Sequence, residues 1–152
     1  MKFVKGDLLD APELYIAHGC NAQGVMGSGV ALAIKNKHPE AYLRYVKYIK
    51  FCNEHKTKAL GQPCIVKSND KIIINLVTQE FFGRDGKQYV DYDAIKSSMK
   101  DAIYLIRRLG EEPIKQIAIP KIGAGLGGGD WNIITEILLD VEKTYNVEFI
   151  VY

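Results

Sequence analysis

The chain is short of the features that mark several protein classes. Its three cysteines, Cys20, Cys52 and Cys64, form no CxxC pair and no even set. That argues against a disulfide framework and fits free thiols in a reducing cytosol. No apolar stretch approaches membrane-spanning length, and the opening Met1-Lys2-Phe3-Val4-Lys5-Gly6-Asp7 lacks the apolar core of a secretory signal. A cytoplasmic protein with no membrane contact is expected. There is little excess of either charge: 20 Lys and Arg stand against 18 Asp and Glu, a formal net of +2. Such a balance argues against the broad basic face of a nucleic-acid module. Lys35, Lys37, Arg44, Lys47, Lys50, Lys56 and Lys58 do form a basic stretch. They interleave with helix-spaced apolar residues and read as a solvated helix face.

Several chemical signatures are missing as well. No acidic or histidine cluster has metal-ligand spacing, and no GxxxxGK[ST] marks a P-loop. Gly27-Ser28-Gly29-Val30-Ala31-Leu32 lacks the third glycine of the dinucleotide fingerprint. No cysteine has an arginine at the spacing used by cysteine phosphatases. No cofactor is implied.

What is present is glycine in two concentrated segments, Gly24-Val25-Met26-Gly27-Ser28-Gly29 and Gly123-Ala124-Gly125-Leu126-Gly127-Gly128-Gly129-Asp130. Each follows an apolar run and opens into a helical pattern. A loop without side chains exposes consecutive backbone N–H groups, and a helix N-terminus adds positive potential, so each suits a phosphate. Two in one small domain suit a diphosphate, or a ligand with several phosphates. The alternative is that these glycines merely permit tight turns.

Organisation along the 152 residues is simple. With 47% hydrophobic and 25% charged residues, the chain reads as one globular domain, 1–152. Short runs rich in Ile and Val predict strands at Lys2–Lys5, Tyr15–Cys20, Pro63–Lys67, Ile72–Leu76, Gln116–Pro120 and Val147–Val151. Helical patterns lie between them: Val30–Lys37, Pro39 to about Cys52, Asp91–Leu109, and about Trp131 to Lys143. Asp130 is placed as the N-cap of the last. Alternating strands and helices predict a three-layer α/β/α fold around a mixed, mostly parallel sheet of about six strands. In open α/β sheets ligands sit at the carboxyl ends of strands. Both glycine loops follow strands, so they can converge on one crevice with the segment Val77–Arg84.

These motifs carry a resemblance. The chain resembles the macrodomains, the ADP-ribose-binding family, through Lys5-Gly6-Asp7-Leu8 and Ile16-Ala17-His18-Gly19-Cys20-Asn21-Ala22-Gln23-Gly24 leading to Gly27-Ser28-Gly29-Val30-Ala31. Ile119-Pro120-Lys121-Ile122-Gly123-Ala124-Gly125-Leu126-Gly127-Gly128-Gly129-Asp130-Trp131 completes the match, in family order and nearly end to end. It is most similar to the small branch that holds ADP-ribose 1''-phosphate phosphatases of yeast type and a hydrolase that frees ADP-ribose from glutamate.

The resemblance implies a set of roles. Asp7 accepts from the adenine amino group, with the Leu8 N–H nearby, and Tyr152 contacts the adenine or covers core. Asn21 binds the distal ribose hydroxyls, as an amide that both donates and accepts can. Gly27, Ser28, Gly29 and Val30 hold one side of the diphosphate. Gly123, Ala124, Gly125, Leu126 and Gly127 hold the other, and Thr78 belongs to the ligand-binding set. The hydrolase's lysine is replaced by Gln79, which cannot form a Schiff base, and its catalytic acid falls at Gly127. The phosphatase branch has a histidine where His18 stands, suited to proton transfer near neutrality. Read from the residues alone, Asp130 either caps its helix or orients a water, and Arg84, in a loop with Glu80 and Lys87, is a candidate to grip a terminal phosphate. The implied activity is a metal-independent phosphatase acting on ADP-ribose 1''-phosphate. The alternatives are an ADP-ribosyl hydrolase acting on modified protein or nucleic acid, and a non-catalytic reader of ADP-ribose. A monomer is expected.

Overall fold

The computed structural model describes residues 1–110 and 113–152 of the chain. The short apolar runs form strands: β1 (Lys2–Phe3), β2 (Tyr15–Asn21), β3 (Pro63–Ser68), β4 (Lys71–Gln79), β5 (Gln116–Ile119) and β6 (Glu148–Val151). Helices α1 (Gly29–Lys37), α2 (Pro39–Glu54), α3 (Tyr92–Leu109) and α4 (Trp131–Tyr145) lie between them, with a 3₁₀ turn at Leu8–Asp10. The sheet runs β1-β6-β5-β2-β4-β3, parallel throughout except for the antiparallel edge pair β3–β4. Only two residues, Asn69 and Asp70, join β3 to β4. So short a link permits only a hairpin, since a parallel crossover needs a dozen residues or more. The mixed α/β sheet expected from the sequence is the one found.

Local chemistry explains where the helices start and stop. Asp91 caps α3, its Oδ1 accepting from Ala94 N at 3.0 Å. Ile95, Met99, Ala102, Ile103 and Ile106 then form a fully inward stripe at helical spacing. Pro39 opens α2 at a position where a missing N–H costs nothing. Asn146, at φ +54°, closes α4 in the left-handed conformation that asparagine tolerates.

Burial follows the alternation of the strands. Tyr15 and Ala17 of β2 and Ile74 and Leu76 of β4 face one side, packed beneath α3 and α4 with Ile134, Leu138 and Phe149. Ile16 and Ile73 face the other side, with Ile34 of α1 and Ala41 of α2. Cys20 and Val77 share that side farther along, against Tyr45, Ile49 and Cys52 of α2. Both faces of the sheet are thus covered, which is why its strands read as unbroken apolar runs. All three cysteines are free. No helix among the described residues is long and apolar enough to cross a membrane.

β1 stops at Phe3, two residues short of expectation, and the other strands shift by a residue at one end, but β4 differs most. β4 runs on through Val77, Thr78 and Gln79, residues that the sequence placed in the segment after it. The parallel ladder with β2 continues past Cys20–Val77 through a register shift that pairs Asn21 with Gln79. Gln79 also bridges to Val90. Pairing on both sides extends the strand where its own composition does not.

Candidate functional site: a glycine-lined cleft at the carboxyl edge of the sheet

β1, β2, β4, β5 and β6 are parallel, so their carboxyl ends share one edge of the molecule. A cleft of about 610 Å³ opens there, above β5, β2 and β4. Its lining includes Gly27, Ser28, Gly29 and Val30 from the first glycine loop and Gly123, Gly125, Leu126 and Gly127 from the second. Asn21 and Thr78 form part of its floor, and Gln79, Phe82, Gly83 and Arg84 form the wall beyond β4. Two of its lining side chains are cationic, Arg84 and Lys121, and none is a carboxylate. The cleft is therefore suited to an anion.

The two loops use their glycines differently. In the first, a Cβ on Gly29 would meet nothing within 4 Å, and one on Gly27 would meet only Val25 at 3.5 Å. These positions open onto free space rather than onto protein. Ser28, in extended conformation at the N-cap of α1, makes no side-chain capping hydrogen bond. The first N–H groups of α1 are thus left without a side-chain acceptor, as an anion requires. In the second loop Gly125 is likewise open, whereas Gly128 and Gly129 are filled in by protein. A Cβ on Gly128, at φ +70°, would lie 2.3 Å from Lys87 O, and one on Gly129 would lie 2.6 Å from a Val90 methyl carbon. Tyr89 N and Val90 N both donate to Gly127 O, at 2.7 and 3.0 Å. One half of this loop faces the cleft and the other half bears on the segment after β4.

Asn21 sits at the cleft but is committed to its own loop. Its Nδ2 donates to Val25 O at 2.8 Å, and its Oδ1 accepts from Gln23 N at 3.0 Å. The Tyr45 hydroxyl, 2.5 Å from Asn21 O and 2.9 Å from Oδ1, anchors it from α2. Burial holds the Tyr45 hydroxyl well above its ordinary pKa, so it stays a donor. Asn21 therefore shapes the first loop by the turn chemistry of its amide.

Asp7, Leu8 and Tyr152 gather at the same edge, after β1 and β6, but outside the cleft lining. Asp7 Oδ1 caps the 3₁₀ turn, accepting from Leu9 N at 2.9 Å. Leu8 is buried with Ile16 and Ile34, and the Tyr152 ring packs against the same cluster. The Tyr152 hydroxyl donates to the Glu13 carboxylate, at 3.0 to 3.1 Å. Burial, with that carboxylate, pushes the Tyr152 phenol up to about 12. Ala124 also lies outside the lining, packed against the α3–α4 core.

Neither His18, expected to transfer protons, nor Asp130, expected to cap its helix or orient a water, lines the cleft. His18 is wholly buried between β2 and α2. Its Nε2 lies 2.6 Å from Asn75 Oδ1, its register partner on β4. Asn75 Nδ2 donates to Ala41 O at 3.2 Å, which leaves Oδ1 as the acceptor and puts the proton of His18 on Nε2. Burial lowers the His18 pKa to about 4, against which the Asn75 hydrogen bond is a smaller effect. It is neutral at pH 7 and lies outside the cleft lining. Asp130 also lies outside the lining. Its Oδ1 accepts from Asn132 N at 2.8 Å, the N-cap bond of α4. Its backbone N–H donates to the Tyr92 hydroxyl. Of its two expected roles, the structure displays the cap.

Sequence reasoning passed over part of the lining. Gly19, Cys20, Gln79, Phe82, Gly83 and Lys121 border the cleft without having been singled out as contacts. Gly19 lies so close to β4 that a Cβ would sit 2.8 Å from Thr78 Oγ1. The Gln79 amide is spent on Phe81 O at 2.8 Å. The Cys20 thiol is pushed well above its ordinary range by burial, so it is no nucleophile near neutrality. Among the described residues, no three His, Cys, Asp or Glu side chains cluster as metal ligands do.

A paired glycine cleft at the carboxyl edge of a three-layer α/β sheet defines an α/β domain with an anion-suited loop site. The Macro domain family model matches residues 17–138, and the chain belongs to the macrodomain family. It is 29% identical over 171 residues to an ADP-ribose 1''-phosphate phosphatase of Meyerozyma guilliermondii, covering 97% of each chain. It is 29% identical over 157 residues to a DNA ADP-ribosyl glycohydrolase of Thermus aquaticus. That match takes in 100% of this chain but 41% of the relative, so the chain spans about two fifths of that protein's length. Among solved structures, the macrodomain of Mycobacterium tuberculosis DarG superimposes with a TM-score of 0.81 at 28% identity, covering 99% of this chain and 95% of that one.

Proposed function

We propose that this macrodomain binds ADP-ribose compounds in the glycine cleft and hydrolyses ADP-ribose 1''-phosphate to ADP-ribose and inorganic phosphate. The carrying observation is the pairing of two glycine loops over one cleft whose charged lining is wholly cationic. The match to the Meyerozyma phosphatase over nearly the whole of both chains supports the choice of reaction.

In this reading the adenine lies toward Asp7, Leu8 and Tyr152, and the diphosphate lies between the open glycines of the two loops. The distal ribose then reaches the end of β2, near Asn21 and Thr78. Holding both ends of the substrate supplies much of the acceleration, by removing orientational freedom before reaction. Loop amides and the α1 N-terminus stabilise charge on the phosphoryl oxygens. Water adds to phosphorus and the ribose oxygen leaves, or water adds at the anomeric carbon and phosphate leaves. His18 and Asp130 serve here as positioning residues, one beneath the cleft floor and the other behind the second loop. A cytoplasmic, single-domain monomer is part of the same proposal.

The test is incubation with ADP-ribose 1''-phosphate in the presence of EDTA, following ADP-ribose by chromatography. Turnover is expected, and its absence overturns the phosphatase reading. Reaction in ¹⁸O-water places the label in phosphate if phosphorus is attacked. A second reading is favoured by the 31% identity, over 153 residues, to the DNA ADP-ribosyl glycohydrolase of Mycobacterium tuberculosis, of which the chain covers 40%. ADP-ribosylated DNA and protein are therefore the substrates to assay beside the phosphate ester. Micromolar ADP-ribose binding without turnover of any of them would indicate a reader.

A further inference from the structure

The cationic side chain beyond β4 carries more than the general affinity for an anion. Arg84 lines the cleft, is exposed, and has no hydrogen-bond or ion-pair partner among the described residues. Its nearest carboxylate in sequence, Asp85, is otherwise engaged. Asp85 Oδ1 accepts from the Tyr89 hydroxyl at 2.7 Å and from Lys87 N at 3.2 Å, and Lys87 Nζ lies 3.7 Å from Oδ2. The segment around Arg84 is held in shape. The Tyr89 hydroxyl lies over Gly83, 2.3 Å from where a Cβ would stand, and the Gly127 carbonyl takes the Tyr89 and Val90 N–H groups. An unpaired guanidinium on a fixed segment, facing a cleft, is a binding group in waiting.

Its position in the sheet order says which part of a ligand it meets. Lys121 follows β5 and Arg84 stands beyond β4, so the two cations enter the cleft from strands on either side of β2. On the orientation proposed above, the adenine lies on the β1–β6 side and the distal ribose on the β4 side. We infer that Arg84 is the specificity-determining residue for the terminal group. It takes the phosphate on the distal ribose in a charge-assisted, bidentate contact, and so distinguishes ADP-ribose 1''-phosphate from ADP-ribose. The inference rests on the proposed binding mode, but not on the chain being a catalyst.

The experiment compares wild type with Arg84→Ala and Arg84→Lys. Arg84 is exposed and unpartnered, so thermal midpoints should be unchanged and folding is not at issue. Losing one such contact is expected to raise KM for ADP-ribose 1''-phosphate about 10- to 100-fold. Kd for ADP-ribose, by calorimetry, should stay within about twofold of wild type, and lysine should restore part of the loss, as a point charge without the fork. Equal weakening of both ligands, or of neither, overturns the inference and leaves the phosphatase reading standing. If wild type fails to turn over the ester, that reading falls and the same comparison is made on Kd. A wild-type preference for the phosphorylated ligand that Arg84→Ala removes then supports the Arg84 inference. No such preference overturns it.

Discussion

Glycine-to-alanine changes separate binding from architecture at single residues. Gly125 has nothing within 4 Å of a notional Cβ, while Gly128 combines a positive φ with a backbone oxygen at 2.3 Å. Gly125→Ala is expected to keep the wild-type melting temperature and to weaken ADP-ribose binding. Gly128→Ala should lose roughly 1 to 3 kcal/mol of stability, from strained backbone and displacement of Lys87. Thermal melts beside calorimetry distinguish the two, and a stable Gly128→Ala protein would refute the packing role. His18 carries a second prediction. With a folded pKa near 4 and an ordinary value of 6.5, the unfolded chain binds more protons between those limits. Stability is therefore full above about pH 6.5, falls as pH drops toward 4, and loses nothing further from this group below that. The largest loss is roughly 3 kcal/mol. His38, also lowered by burial, acts in the same sense. Urea midpoints from pH 7.5 to 4.0 should fall, and His18→Gln should flatten that slope; an unchanged slope would remove His18 as its source.

Helices and strands set how these residues act together. Asp130 and Asp91 do the same work at the N-termini of α4 and α3. Each replaced by alanine should cost about 1 kcal/mol. Asp130→Ala should then lower the melting temperature much as Asp91→Ala does, with phosphatase kcat changed less than tenfold. A collapse of kcat at unchanged stability would instead give Asp130 a chemical role. At this scale the sequence was legible where one element sufficed. The stripe Ile95, Met99, Ala102, Ile103 and Ile106 announces α3, and Asp130 marks the start of the helix that follows the second glycine loop. The extension of β4 through Gln79 was not legible, because Val77-Thr78-Gln79 becomes strand by pairing with β2 and Val90. Partner strands far away in sequence decided it.

For the whole molecule, the parallel order β1-β6-β5-β2-β4 brings five strand ends and their loops to one edge. The cleft arises there because glycine loops follow β2 and β5, while the segment after β4 supplies its third wall. That segment and the second loop are joined through Gly127 O, so changes in either should alter ligand affinity together. The kinship with macrodomains matches this geometry, including relatives whose names differ in the bond they break. Assays with the phosphate ester and with ADP-ribosylated DNA decide between those chemistries for this chain.

The sequence by itself determined the α/β class, most strand and helix positions, and the two loops that converge. Periodicity, capping residues and glycine are local, and local chemistry is enough to place them. Only the tertiary structure decided which glycines face the cleft and which face protein, since that depends on what the segment 87–90 brings against them. It also decided the fate of His18. A histidine at a strand end reads the same in sequence whether it faces solvent or core. Here the Asn75 partner on β4 and the cover of α2 make it a neutral, buried donor.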